Sequence, residues 1–238
     1  MKGRKEEKME EKSNNIEAKK TGIVKSIIAI ILFFTVSLGV TFVYIVLKVM
    51  KHDTSATEIH AAMPGWVTLL PFIVLLPIFI VMYYGTLKTD IKRMTKEDFK
   101  WTGIFAGLSI ATGFAATWLF SLFGYPISNQ EAINEIFSQI ALVTALATII
   151  GAPVAEEIVF RKALNGIVKN TSFFVVLSAL LFGLMHYSGI ATITYVVLGA
   201  IYALAYIKTD KNVVAAIIAH SINNAFAILY MLMTLGNL

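Results

Sequence analysis

The sequence predicts an all-α fold, a polytopic transmembrane bundle of about seven helices, with six and eight as the bounds. Three observations carry this. Of 238 residues, 57% are hydrophobic and 15% charged, at a mean hydropathy of +0.74, whereas a soluble domain is about a quarter charged. So few charges cannot cover a water-facing surface. Apolar runs of membrane-spanning length recur along the chain. The segments between them are short.

The first 26 residues form a mixed-charge tail without aromatics, expected to be disordered or a short surface helix. An apolar run follows over 27–49. It is too long for a signal-peptide core and no clear cleavage site follows, so it reads as an anchored first span. Further spans are expected at about 65–87, 102–123, 137–160, 171–187, 190–207 and 213–235. Pro71 and Pro77 should bend the second span without ending it. The basic segment 88–101 reads as an amphipathic interfacial helix with Phe99 and Trp101 at the boundary. Gly103, Gly107 and Ala111 make a small-residue stripe on the third span, and Gly199 and Ala203 one on the sixth; both predict close helix contacts. Three units result: a cytoplasmic tail (1–26), accessory spans (27–136) and a catalytic core (137–238).

The net charge is +5. Basic residues crowd the tail, loop 88–100 (Lys88, Lys92, Arg93, Lys96, Lys100), the end of the fourth span (Arg161, Lys162, Lys169) and the end of the sixth (Lys208, Lys211). With seven spans these fall on one side, which predicts a cytoplasmic amino terminus. The basic residues thus serve orientation. No nucleic-acid partner is expected, because no basic stretch is interleaved with aromatics. The chain has no cysteine, which excludes disulfide scaffolds, thiol proteases, thiolate zinc sites and iron–sulfur clusters.

An ionisable group inside the bilayer costs on the order of 3 kcal/mol and needs a reason. Apart from Lys48 at a span end, the interior ones are Glu156, Glu157, His186 and His220, with Arg161 just beyond. Asn223 and Asn224 are polar companions. All lie in the last four spans. Glu157 and Arg161 are four apart on a helix and can pair, while Glu156 points about 100° away. Two carboxylates with different jobs are implied, one structural and one chemical. Phe182 and His186 share one face, and His220 and Asn224 share another. Asn223 lies on a different face and reads as a packing amide. A glutamate and histidine can activate water, and a histidine–amide pair can receive an oxyanion. Glutamate and two histidines can alternatively ligate zinc. The plainer readings are an interfacial charge cluster for Glu157 and Arg161 and helix–helix hydrogen bonds for the histidines.

Other chemistries are excluded. Asp53, Asp90, Asp98 and Asp210 fall outside the spans, which removes a two-aspartate protease. No Gly-x-Ser-Gly precedes a usable histidine, and there is neither HExxH nor a glycine-rich phosphate loop.

EEIVFR (156–161), FGLMH (182–186) and HSINN (220–224) occur in the order EExxxR, FxxxH, HxxxN. Over about 137–230 this resembles the CAAX protease and bacteriocin-processing (CPBP or Abi) family of intramembrane proteases. The resemblance implies that Glu156 and His186 activate the attacking water. It implies that His220 and Asn224 stabilise the oxyanion, with Glu157, Arg161 and Phe182 in support. Members are often described as metalloproteases. No cofactor is favoured here; if zinc is bound, Glu156, His186 and His220 are the ligands. The implied substrate is a membrane-associated peptide or protein, with bacteriocin processing or self-immunity as roles and lipid as the surroundings. A non-catalytic scaffold or regulator and a proton-coupled transporter are the alternatives.

One difficulty is geometric. If the fifth span runs straight outward from Thr171, His186 lies roughly 20 Å from the level of Glu156 and His220. Convergence requires a tilted, re-entrant or displaced fifth helix, with the Glu156 carboxylate within about 8 Å of the His186 ring.

Overall fold

The computed structural model describes residues 2–51, 65–124, 145–186 and 189–235. They form seven helices: α1 (Lys2–Met50), α2 (Gly65–Lys92), α3 (Lys96–Leu122), α4 (145–167), α5 (Thr171–Met185), α6 (Thr192–Lys208) and α7 (Val213–Leu235). No β-sheet element occurs among the described residues. The spans in α1, α2, α3, α6 and α7 are long and apolar enough to cross a membrane, and α5 is a shorter apolar helix. Large apolar side chains such as Phe42, Val81, Trp118 and Leu184 face outward, as a lipid environment permits and water does not.

Residues 2–26 are helical and continuous with the first span. Lys, Glu, Ala and Met are good helix formers, and no proline interrupts them. Segment 88–101 is not an independent interfacial helix. α2 runs through Pro71 and Pro77 to Lys92. α3 then starts on a capping box, in which the Thr95 hydroxyl accepts from the Asp98 N–H and the Asp98 carboxylate from the Thr95 N–H. That reciprocal cap defines a start inside the basic segment.

α4 is the axle, packed against α1, α2, α5, α6 and α7. It runs on to Ile167, past the expected end at Phe160; residues 137–144 of that expected span, and the 136/137 boundary, lie outside the described residues. Arg161 and Lys162 are therefore inside a helix and not in a loop. Arg161 is fully buried, which removes it from the charges that set orientation. The extension also resolves the depth difficulty. Glu156 sits about 16 Å above the Ile167 end at 1.5 Å per residue. α5 has 15 residues, about 22 Å, short of a hydrocarbon core of about 30 Å. Its end at His186 thus reaches a level close to Glu156.

α5 and α6 approach closely through small residues. A Cβ on Gly199 would lie 3.0 Å from the Ala179 Cα, and one on Gly183 3.0 Å from the Val196 amide nitrogen. The expected contact at Gly199 is present. The stripe on α3 behaves otherwise: Gly103, Gly107 and Ala111 are exposed, with nothing among the described residues within 4 Å of a Cβ at Gly103 or Gly107. α3 turns Thr102, Phe105, Ala106 and Ser109 inward instead.

Asp90 ties the basic end together, a role that sequence reasoning missed. Its carboxylate accepts from the Val213 N–H at 2.9 Å and from Arg93 Nε at 3.0 Å. Asn212 Oδ1 accepts from the N–H groups of Val214 and Ala215, and its amide donates to the Asp90 carbonyl. The first three N–H groups of α7 are thus satisfied by two side chains. The preceding turn places Asp210 and Lys211 at φ of 51° and 59°, with the Lys211 N–H reaching the Tyr206 carbonyl, the closure of a Schellman turn.

Two outcomes test these contacts. Gly183→Ala should lower the thermal midpoint of purified protein by overpacking worth about 1–3 kcal/mol, while Gly103→Ala should stay within about 0.5 kcal/mol of wild type. Asn212→Ala should cost about 1 kcal/mol through the lost α7 cap, read by the same melt.

Candidate active site

α4 is not a uniform α-helix. It is π-helical over Ala147–Gly151 and again over Ile158–Ala163, with Ala152–Glu157 in α register between. Single-turn π segments widen the ladder by one residue and often mark functional sites. Here each leaves a carbonyl for a side chain from another helix. The Ala152 N–H donates to the Ala147 carbonyl, five residues back. The next donor in that register would be residue 153, a proline without an N–H. The Thr148 carbonyl instead accepts from Asn224 Nδ2 at 2.9 Å. In the second segment the Phe160 carbonyl accepts from the Ser178 hydroxyl at 2.8 Å.

Glu156 and Glu157 lie between these segments, 4% and 0% exposed, and Arg161 one turn on is 0% exposed. Arg161 Nε lies 2.9 Å from Glu157 Oε2. Neither atom has an aligned hydrogen-bond partner among the described residues, so the contact is an ion pair by proximity. Arg161 Nη1 donates to the Ser178 hydroxyl at 3.2 Å. The guanidinium is walled by aromatic rings, 5.0 Å from Phe182, 5.8 Å from Tyr202 and 6.0 Å from Phe160. Ion pairing and cation–π contact together offset the loss of water around this charge.

Glu157 has a second partner. Its Oε1 lies 3.0 Å from His220 Nδ1, and a carboxylate accepts, so His220 carries its proton on Nδ1. His220 Nε2 then faces Glu156 Oε2 at 3.9 Å. His186 is arranged in the same way. It caps the end of α5, and its Nδ1 lies 2.9 Å from the Phe182 carbonyl. A carbonyl can only accept, so Nδ1 donates and Nε2 is left facing Glu156 Oε1 at 3.8 Å. The expected approach of Glu156 to His186, within about 8 Å, is met. The Glu156 carboxylate is thus flanked by two imidazole nitrogens beyond direct hydrogen-bond range, a spacing that a bridging water suits.

The predicted residues converge with one exception. Glu156, Glu157, Arg161, Phe182, His186 and His220 form one cluster from three helices. Asn224 shares the α7 face of His220, but its amide donates to the Thr148 carbonyl, which engages one of its two N–H donors. Asn223 donates to Asn224 Oδ1 at 3.4 Å. Ser178, Tyr195 and Tyr202 were missed. Tyr195 stacks on His186 and Tyr202 on His220; their spacing of seven, two turns on one face of a span, was a usable signal.

Among the described residues no group of three or more His, Cys, Asp or Glu side chains is arranged to hold a metal ion. Glu156 approaches His186 and His220 separately, at 3.8 and 3.9 Å; these are the residues that would hold a zinc ion, were one bound.

Residues 138–226 match the family model described as Type II CAAX prenyl endopeptidase Rce1-like. The chain is 26% identical over 194 residues to YdiL of Bacillus subtilis (strain 168), a protein provisionally named a membrane peptidase, covering 77% of this chain and 78% of that one. It is 32% identical over 114 residues to the membrane-embedded CAAX protease MroQ of Staphylococcus aureus (strain USA300), covering 44% and 45%. It is 25% identical over 157 residues to the UPF0177 protein YxdF of Lactococcus lactis subsp. lactis (strain IL1403), covering 63% and 88%. No solved structure matches. The resemblance read from the three motifs is borne out, and the chain is an integral membrane protein whose likenesses support a protease of the Rce1-like CAAX type.

The buried pair makes a stability prediction. Arg161→Met strands the Glu157 charge and should cost about 3–5 kcal/mol, while Arg161→Met with Glu157→Gln should recover part of it. Thermal melts of the single and double variants check this.

Proposed function

We propose that the protein is an intramembrane endopeptidase that hydrolyses a peptide bond in a membrane-associated peptide or protein, with Glu156 as the base that activates water. The observation that carries this is the placement of Glu156 between two histidine Nε2 atoms whose Nδ1 positions are already committed. A carboxylate and an unprotonated imidazole nitrogen are both acceptors. A water between Glu156 and His186 satisfies both with its two hydrogens, which orients its oxygen lone pair toward a substrate carbonyl.

In the attack, the water oxygen bonds to the carbonyl carbon, the carbonyl π electrons move to oxygen, and the water proton passes to Glu156. His220, gripped at Nδ1 by Glu157, takes that proton at Nε2. It hydrogen-bonds the oxyanion through that N–H and then, as the oxyanion electrons re-form the carbonyl and the C–N bond breaks, gives the proton to the leaving amine nitrogen. The spare N–H of Asn224 is the second donor for the oxyanion. No step is routed through a metal. The names of the relatives support a protease and a membrane setting. The roles of bacteriocin processing and self-immunity, and a cytoplasmic amino terminus, are part of the same proposal, the last supported by the lysines and arginines at one end of the bundle.

Cleavage of membrane-peptide substrates by purified protein tests the reading. Glu156→Gln and His186→Ala should each lower kcat by about 100-fold or more with the fold intact. Unchanged biological activity in both would overturn the protease reading in favour of a scaffold. Cleavage should persist in a strong zinc chelator; a loss restored by added zinc would overturn the metal-free mechanism.

A further inference from the structure

Tyr195 and Tyr202 lie on one face of α6, about 10.5 Å apart along its axis at 1.5 Å per residue. Each stacks on a different histidine. The Tyr195 ring lies 4.7 Å from that of His186 at an interplanar angle of 15°. The Tyr202 ring lies 4.4 Å from that of His220 at 16°. Phe182 fills the space between, tilted against His186 at 4.5 Å and edge-on to His220 and Tyr202 at 5.7 and 6.0 Å. The two histidines come from α5 and α7, so α6 is the wall they share.

We propose that Tyr195 and Tyr202 are positioning residues, a two-tyrosine template on α6 that sets the planes of the His186 and His220 rings so that both Nε2 atoms face Glu156. A hydrogen bond at Nδ1 restrains a ring at one point and leaves it free to swing about that bond. A near-parallel face contact removes this freedom, because tilting the ring breaks the stack. His186 has the greater need, since it lies beyond the last turn of α5, where the helix no longer restricts its side chain. The close approach of α5 to α6 at Gly183 and Gly199 brings Tyr195 within stacking reach of His186. Small residues in that seam and aromatic residues at its ends belong to one arrangement. The hydroxyls are not what this role uses, because the near-parallel contacts are made by the rings.

The inference rests on His186 and His220 being working groups, and the experiment separates the two. The chain has four histidines, so the full-length protein labelled at histidine Cε1 gives four resonances in lipid nanodiscs. His186→Gln and His220→Gln assign two of them. Tyr195→Leu should move the His186 resonance and leave that of His220 in place; Tyr202→Leu should do the converse. Tyr195→Phe and Tyr202→Phe keep the stack and should leave both near wild type. In the cleavage assay the leucine variants should lose about 10- to 100-fold in kcat with KM little changed, as misplacement of about 1 Å does, and the phenylalanine variants should recover it. If Tyr202→Leu does not fold, the half-buried Tyr195 carries the test alone. An unmoved His186 resonance in Tyr195→Leu, or phenylalanine variants as impaired as leucine ones, would overturn the proposal. Shifted resonances together with cleavage indifferent to Glu156→Gln would sustain the template and overturn the protease reading.

Discussion

The arrangement depends on one constraint: a guanidinium and a carboxylate are buried together in the middle of a helix. Arg161 and Glu157 have no access to solvent. Charges so placed must be met by partners, and the bundle is organised to meet them. Glu157 supplies one oxygen to Arg161 and the other to His220. Arg161 reaches Ser178, whose hydroxyl passes on to the Phe160 carbonyl. Phe160, Phe182 and Tyr202 enclose what remains. Four helices are therefore registered against one another by a single ion pair, and Glu156 is carried into position as its chain neighbour.

The two carboxylates divide their work through the helix itself. Adjacent residues diverge by about 100°, so Glu157 faces its salt partner while Glu156 faces the space between the histidines. The π segments on either side widen the helix and release carbonyls that α5 and α7 then bond. Pro153 has a specific part in this. By lacking an N–H it leaves the Thr148 carbonyl to Asn224, which anchors α7 to α4 above the histidine it carries. The same helix thereby holds the charges, orients the base and fixes the distance to the partner histidine.

Much of the candidate site was legible because ionisable residues are so rare inside the spans. Glu156, Glu157, His186 and His220 stood out against apolar surroundings, and the periodicity of a helix paired Glu157 with Arg161 and Phe182 with His186. Aromatic residues gave no such contrast, since tyrosine is ordinary in a membrane helix, and so Tyr195 and Tyr202 went unread. The stripe Gly103, Gly107, Ala111 was legible and misleading. A row of small residues permits close approach but does not supply the neighbour, and α3 turned another face inward.

Composition and spacing by themselves determined the all-helical membrane fold, the approximate spans and the identity of the groups available for chemistry. These follow from the cost of charge in hydrocarbon and from the 3.6-residue turn, both local properties. Only the tertiary structure decided where α4 ends, how far α5 reaches, and which nitrogen of each histidine faces Glu156. Those depend on partners far apart in the chain, such as Glu157 with His220 and Phe160 with Ser178. A helix boundary within an apolar stretch, or a ring's protonated nitrogen, is set by what packs against it, and that information is absent from any single segment.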